Sequence, residues 1–247
     1  MANWNDPRPS QTGFGASPSL SGVYGRGEAF DAGLRRYMLS IYNYMASGVL
    51  LSGLVALVFA TSGLAVAVFG TPLRWLVVLA PLAFVMVMSF GLNRLSSTAL
   101  KALFWAFSAV MGMSLSSLFF VYTGPSIAAT FFATAGAFAG LSLFGYTTGK
   151  NLSAMGSFMI MGLFGIIIAS LINLWLASPG LAWGISFLGV LIFAGLTAYD
   201  TQRLKEQYAY VAGTDYADKV VVMGALSLYL DFVNMFTSLL QLMGDRR

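Results

Sequence analysis

The sequence has no cysteine and no histidine, and charge is scarce: 13 Lys or Arg and 9 Asp or Glu, 9% of 247 residues. Without cysteine there can be no disulfide, iron–sulfur cluster or thiolate zinc site. Without histidine the chain lacks the commonest metal ligand and the only side chain that titrates near neutral pH unperturbed. Soluble domains carry roughly 25% charged residues, so this chain has too few to coat a water-soluble globule. The net charge of +4 is small and dispersed, which argues against nucleic acid as a partner. What is plentiful is apolar: 58% of residues are hydrophobic, and there are 20 Phe and 27 Gly. Such a chain must be covered by a lipid bilayer rather than water, and its chemistry must rest on a few carboxylates.

A membrane span needs about 20 mostly apolar residues, and the intervals between successive charges count the spans. Arg36 to Arg74 encloses 37 charge-free residues, one span at roughly 39 to 60 followed by a Gly/Ser/Thr stretch around Thr61 to Gly63. Arg74 to Arg94 encloses 19, a second span with Pro81 inside it, which neighbouring helices in lipid can tolerate. Lys101 to Lys150 encloses 48, broken by the turn chemistry of Tyr122-Thr123-Gly124-Pro125-Ser126 into spans three and four. Lys150 to Asp200 encloses 49, broken at Ala177-Ser178-Pro179-Gly180 into spans five and six. Val220 to Met243 is span seven, with Asp231 at its middle. The expected fold class is therefore an all-α membrane protein, a bundle of seven transmembrane helices.

Basic residues set the expected orientation. With the amino terminus cytoplasmic, Arg8, Arg26, Arg35, Arg36, Arg94, Lys101, Lys150, Arg203, Lys205 and Lys219 fall inside and Arg74, Arg246 and Arg247 outside. Residues 1–33 are rich in Gly, Ser, Pro and Asn without helical period and are expected to be a disordered cytoplasmic tail ahead of the transmembrane domain at 34–247. Gly136-Ala137-Phe138-Ala139-Gly140 has the spacing of closely packed membrane helices.

An aspartate at the centre of a membrane helix costs about 2.5 to 3.5 kcal/mol on insertion scales, so it needs a use or a partner. Asp231 is the most informative residue on this ground, and Asp200, ending the charge-free span six, is the second. If span six continues through Tyr210 and turns at Gly213, with Thr214 or Asp215 capping span seven, Asp200 stands roughly 16 Å above the shared loop and Asp231 roughly 24 Å. Tilt can close a gap of that size. Two carboxyl groups in a poorly hydrated site cannot both ionise cheaply, so the pair tends to hold one proton and becomes a candidate pH sensor. Deprotonated, the same oxygens are hard ligands suited to transient binding of calcium or another small cation, with Thr201 and Asn234 as candidate helpers. Arg94, at the end of span two, is a candidate to approach the pair and compete with a cation.

Three segments carry a family resemblance: Gly145-Tyr146-Thr147-Thr148, Thr197-Ala198-Tyr199-Asp200-Thr201-Gln202, and Ala225-Leu226-Ser227-Leu228-Tyr229-Leu230-Asp231-Phe232-Val233-Asn234. On these the chain resembles the Bax inhibitor-1 (transmembrane Bax inhibitor motif) family over about residues 30 to 247. The resemblance implies a seven-helix bundle with the seventh helix central and a calcium leak gated by protonation of the pair here formed by Asp200 and Asp231. It also implies that a basic residue at the end of span two, here Arg94, interacts with the pair. An acidic residue that some relatives carry within span two has no counterpart here. The resemblance further implies a bacterial inner membrane and, in one branch, modulation of a membrane-bound protease; no cofactor is expected.

That last property is the alternative to a leak: a non-transporting membrane interaction protein. An intramembrane aspartyl protease would also use two membrane aspartates. Those enzymes resemble one another in a Gly-x-Gly-Asp and a nearby Pro-Ala-Leu; here Leu228-Tyr229-Leu230 precedes Asp231 and no Pro-Ala-Leu occurs, so no enzymatic activity is expected.

Overall fold

A computed structural model of the chain describes residues 20–247. Helix α1 (Leu20–Thr61) is followed by the short α2 (Leu64–Phe69), then α3 (Leu73–Gly91), α4 (Ser97–Leu115), the single turn α5 (Leu118–Val121), α6 (Gly124–Thr147), α7 (Ser153–Leu176), α8 (Pro179–Val211) and α9 (Ala217–Met243). Seven segments among the described residues are long and apolar enough to cross a membrane: Phe30–Thr61, Leu73–Gly91, Ser97–Val121, Gly124–Thr147, Ser153–Leu176, Pro179–Val211 and Ala217–Met243.

Local sequence explains the breaks. Gly63, at φ +77°, takes the left-handed turn that separates α1 from α2. Ser96 caps α4 by accepting from the Ala99 N–H at 3.2 Å, and Ser178 caps α8 by accepting from Leu181, with Pro179 opening the helix. Span three bends between α4 and α5, where the Ser116 and Ser117 hydroxyls donate back to the Met113 and Ser114 carbonyls and compete with the helical ladder. Gly213, at φ +76°, turns the chain between α8 and α9 as the sequence suggests. The expected cap on α9 is not made: its N-cap is Tyr216, without a side-chain bond, and the Thr214 hydroxyl donates to Val211 instead.

One boundary and one packing contact differ from expectation. Residues 1–19 of the expected tail lie outside the described residues, but Leu20 to Gly33 is helical and forms the start of α1. The last proline of the segment, Pro18, precedes this stretch, so no residue in it lacks the amide proton that the helical ladder needs. At 42 residues, or about 63 Å, α1 far exceeds the roughly 30 Å hydrocarbon core. The glycine pair of α6 also differs: Gly136 and Gly140 face open space, and the close approach lies at Gly145, where a Cβ would collide with the Ala198 carbonyl of α8.

Helix α9 is central. Of its most apolar stretch 72% is buried, against 6% for α7. It packs principally against α8, α1, α6 and α4, while α3 is held mainly through α4 and α7 through α8. The middle of α9 is fixed by Tyr229, fully buried, with Phe104 and Phe107 edge-on and its hydroxyl 2.6 Å from Ser52 Oγ, which also donates to the Ser108 carbonyl. Side chains such as Trp175 and Phe90 point outward, each 82% exposed, as lipid-facing residues do.

One end of the bundle carries the α3–α4, α6–α7 and α8–α9 connections. There Lys219 reaches the Leu92 carbonyl at 3.2 Å and Lys101 pairs with Asp218 at 2.7 Å, while Phe30 and Tyr37 of α1 pack on Tyr208 of α8. At the opposite end the last residues of the chain lie against the α5–α6 turn, where Thr123 donates to the Asp245 carbonyl and Arg247 to that of Val121.

Candidate functional site

The antiparallel pair α8 and α9 brings the two aspartates to one place. Ser227 of α9 donates a short hydrogen bond to Asp200 Oδ2 of α8, so the levels of these two residues coincide. Asp231 lies one turn further along the Ser227 face, displaced by about 6 Å at 1.5 Å per residue. Sequence counting put the offset near 8 Å, and the observed register agrees. Asp200 and Asp231 are 6% and 5% exposed, and each lies within range of the other's charge. The Oδ2 atom of Asp231 is buried without a hydrogen-bond partner among the described residues. A buried polar atom left this way marks either a cost or a use.

The cation beside the pair is Arg203, not Arg94. Arg203 stands one turn from Asp200 on α8, 3.3 Å from its Oδ1, and also reaches Ser227 Oγ at 3.5 Å. Its guanidinium lies over the Tyr199 ring, 5.7 Å from the centroid. Arg94 is exposed in the turn after α3 and makes no ion pair among the described residues. The reason is geometric: α3 rests on α4 at the margin of the bundle, whereas Arg203 shares a helix with Asp200 at a spacing that places both on one face. That i, i+3 spacing was legible in the sequence, as was the i, i+4 spacing of Ser227 and Asp231, and both partners went unassigned there.

Thr201 and Asn234 point elsewhere. Thr201 is buried against α6, bonded to Ser142 at 2.8 Å, and Ser142 in turn meets the Tyr42 hydroxyl of α1 at 2.6 Å. The Asn234 amide donates to the Leu230 carbonyl at 2.8 Å, and its side chain borders a cleft between α7, α8 and α9. The rest of the Thr197–Gln202 motif is positioning chemistry. Gln202 accepts from the Leu152 amide and donates to the Lys150 carbonyl, both at 2.8 Å, pinning the α6–α7 turn to α8, and Tyr199 fills the space over Gly156.

A cleft of about 300 Å³ enters the site from the end that carries the α8–α9 loop, lined by Ser89, Arg203, Gln207, Tyr216 and Ser227. The cleft reaches Arg203 and Ser227, the two residues bonded to Asp200. Among the described residues no group of three or more acidic, histidine or cysteine side chains is placed to hold a metal. A calcium ion, which takes 6 to 8 oxygen ligands, would find two carboxylates here and would need water for most of its shell.

A bundle of seven membrane-length helices with two carboxyl groups buried where its central helix meets a neighbour defines an all-α integral membrane protein with a buried polar site between α8 and α9. Residues 34–247 match the family described as Inhibitor of apoptosis-promoting Bax1. The chain is 44% identical over 220 residues to the inner membrane protein YbhL of Escherichia coli K12, covering 87% of this chain and 94% of that one. It is 47% identical over 231 residues to an uncharacterized protein of Caulobacter vibrioides, covering 88% and 91%, and 43% identical over 224 residues to one of Rickettsia prowazekii, covering 90% and 94%. The chain belongs to the Bax inhibitor-1 family, and its seven membrane-length helices make it an all-α membrane protein.

Proposed function

We propose that the protein is a cation leak path, chiefly for calcium, whose conductance is set by protonation of the Asp200–Asp231 pair. The observation that carries this reading is the placement of two buried carboxyl groups one turn apart on facing helices, with Asp231 Oδ2 unpartnered and a cleft leading to the cluster from one end. A proton and a cation compete for the same oxygens. Cation occupancy therefore falls as pH falls through the range in which the pair takes up its proton, and the leak closes on acidification. The thin ligand set supports passage rather than storage, since a site that supplies two carboxylates binds calcium weakly enough to release it. Arg203 is the internal competitor, a tethered cation already on Asp200. In this reading the end bearing the α8–α9 loop is cytoplasmic, because Arg35, Arg36, Arg94, Lys101, Lys150, Arg203, Lys205 and Lys219 gather there.

The test is calcium flux into proteoliposomes between pH 5 and 9 for the wild type, Asp200→Asn and Asp231→Asn. The expected result is a wild-type flux that rises with pH and a loss of that dependence in both variants. Equal, pH-independent flux in all three overturns the reading.

A further inference from the structure

The cluster at Asp200 accounts for an approach to Asp231 from one side of the membrane only. The polar residues of α9 continue past it. Ser227, Asp231, Asn234, Ser238 and Gln241 follow one another at steps of four, three, four and three residues, which keeps them within about 80° of one face of the helix at 3.6 residues per turn. Ser227 borders the cleft at the loop end. Asn234, Ser238 and Gln241 border a second cleft of about 410 Å³ between α7, α8 and α9, whose other polar groups are Ser170 and Ser186. Asp231 lines neither cleft but stands on α9 between the residues that do, Ser227 and Leu230 toward the loop end and Asn234, Ser238 and Gln241 toward the other. It is also near the midpoint of the 27-residue helix, where a hydrated path would have its narrowest part.

The second cleft has a composition that packing alone does not require. Helix α7 is otherwise an apolar, lipid-facing element, yet the space it shares with α8 and α9 collects hydroxyl and amide groups at membrane depth. Polar atoms in hydrocarbon are costly unless bonded to one another or to water. Ser186 donates to Gln241 Oε1 at 2.6 Å across the α8–α9 contact toward the far end. Gly189 lets α8 approach α9 closely at Ser238: a Cβ at position 189 would come within 2.6 Å of Ser238 Oγ. Neutral oxygens along an otherwise apolar wall are what a hard, partly hydrated cation can exchange with its water, without a fixed charge to hold it.

We propose that the cleft between α7, α8 and α9 is the second half of the cation path, a hydrated vestibule lined by Asn234, Ser238, Gln241, Ser186 and Ser170 that joins Asp231 to the membrane face opposite the α8–α9 loop. The inference rests on reading the aspartate pair as a cation site. It adds the exit route, in which a larger side chain at position 189 would press on Ser238 and narrow the cleft.

The absence of native cysteine makes the test direct. Single cysteines are placed at Ser238 and Gln241 in the cleft, at Gln207 in the loop-side cleft as the reference for that side, and at Ile168, 58% exposed toward lipid, as the control. Each variant that keeps a monodisperse size-exclusion profile is reconstituted and treated from one side with a charged, membrane-impermeant methanethiosulfonate. The expected result is that Ser238→Cys and Gln241→Cys react at least tenfold faster than Ile168→Cys, and from the side opposite to Gln207→Cys. Adding Gly189→Leu should slow the Ser238→Cys reaction at least fivefold, and Gly189→Leu alone should lower calcium flux while leaving its pH dependence in place. The proposal is overturned if Ser238→Cys reacts only with a membrane-soluble maleimide at the Ile168→Cys rate, which would make the cleft a lipid-filled groove, or if it reacts from the Gln207→Cys side. Labelling is read without any flux, so its outcome stands apart from that of the Asn variants.

Discussion

Replacing Asp231 by asparagine keeps the shape of the side chain and removes one of two charges buried on facing helices. At the register set by Ser227 the two residues are offset by roughly 6 Å along the helix axis, and charges separated by a distance of that order at an effective dielectric constant near 20 repel by about 3 kcal/mol. Arg203 offsets some of this, but its side chain is 40% exposed, and an ion pair so open to solvent contributes at most about 1 kcal/mol. About 2 kcal/mol of repulsion is left to be relieved by a proton at low pH or by a cation at high pH. The sign follows directly. The repulsion exists only when both groups are ionised, so the wild type should lose thermal stability as pH rises from 5 to 9, and calcium should restore part of it at the upper end. Asp231→Asn carries one charge at most and should show neither the loss nor the calcium effect. The assay is the apparent unfolding temperature in detergent or nanodiscs at fixed ionic strength, with and without calcium, because salt alone screens charge. A pH slope in Asp231→Asn equal to that of the wild type, or equal protection of both proteins by calcium, would show that the carboxyl groups do not share a site.

Two further perturbations probe the surroundings. Arg203→Gln removes the tethered competitor from Asp200, so calcium flux at neutral pH should rise by about fivefold, the equivalent of about 1 kcal/mol; Arg203→Lys should restore most of the wild-type rate, and unchanged flux in Arg203→Gln would remove the arginine from the gate. Gly145→Leu forces a side chain against the Ala198 carbonyl two residues before Asp200, and should destabilise the α6–α8 contact by about 1 to 3 kcal/mol, read as a lower unfolding temperature, whereas Gly136→Leu on the open face of the same helix should leave it unchanged.

Much of this protein follows from composition and charge spacing. Charge-free intervals of one or two membrane thicknesses, with Gly-Pro and Ser-Pro-Gly breaks, dictate seven spans because no other structure satisfies the backbone in lipid, and the observed helices break at Gly63, Pro125 and Pro179 accordingly. The aspartates stood out for the same reason: in so apolar a chain a mid-helix carboxyl is an energetic anomaly visible without coordinates. The register of α8 against α9 was close to legible, since both helices are counted from a single short loop. Three things were settled only by the tertiary structure. Which cation serves the pair depends on where α3 sits, and its place at the margin leaves Arg94 in solvent while Arg203 meets Asp200. Where α6 packs tightly depends on the face it turns to α8, and that face carries Gly145 rather than Gly136 and Gly140. Which side Thr201 and Asn234 serve depends on rotations of α8 and α9 about their own axes. Hydrophobicity fixes how deep a residue lies in the membrane, but in a helix apolar nearly all round it says little about which way that residue points; the contacts between helices decide that.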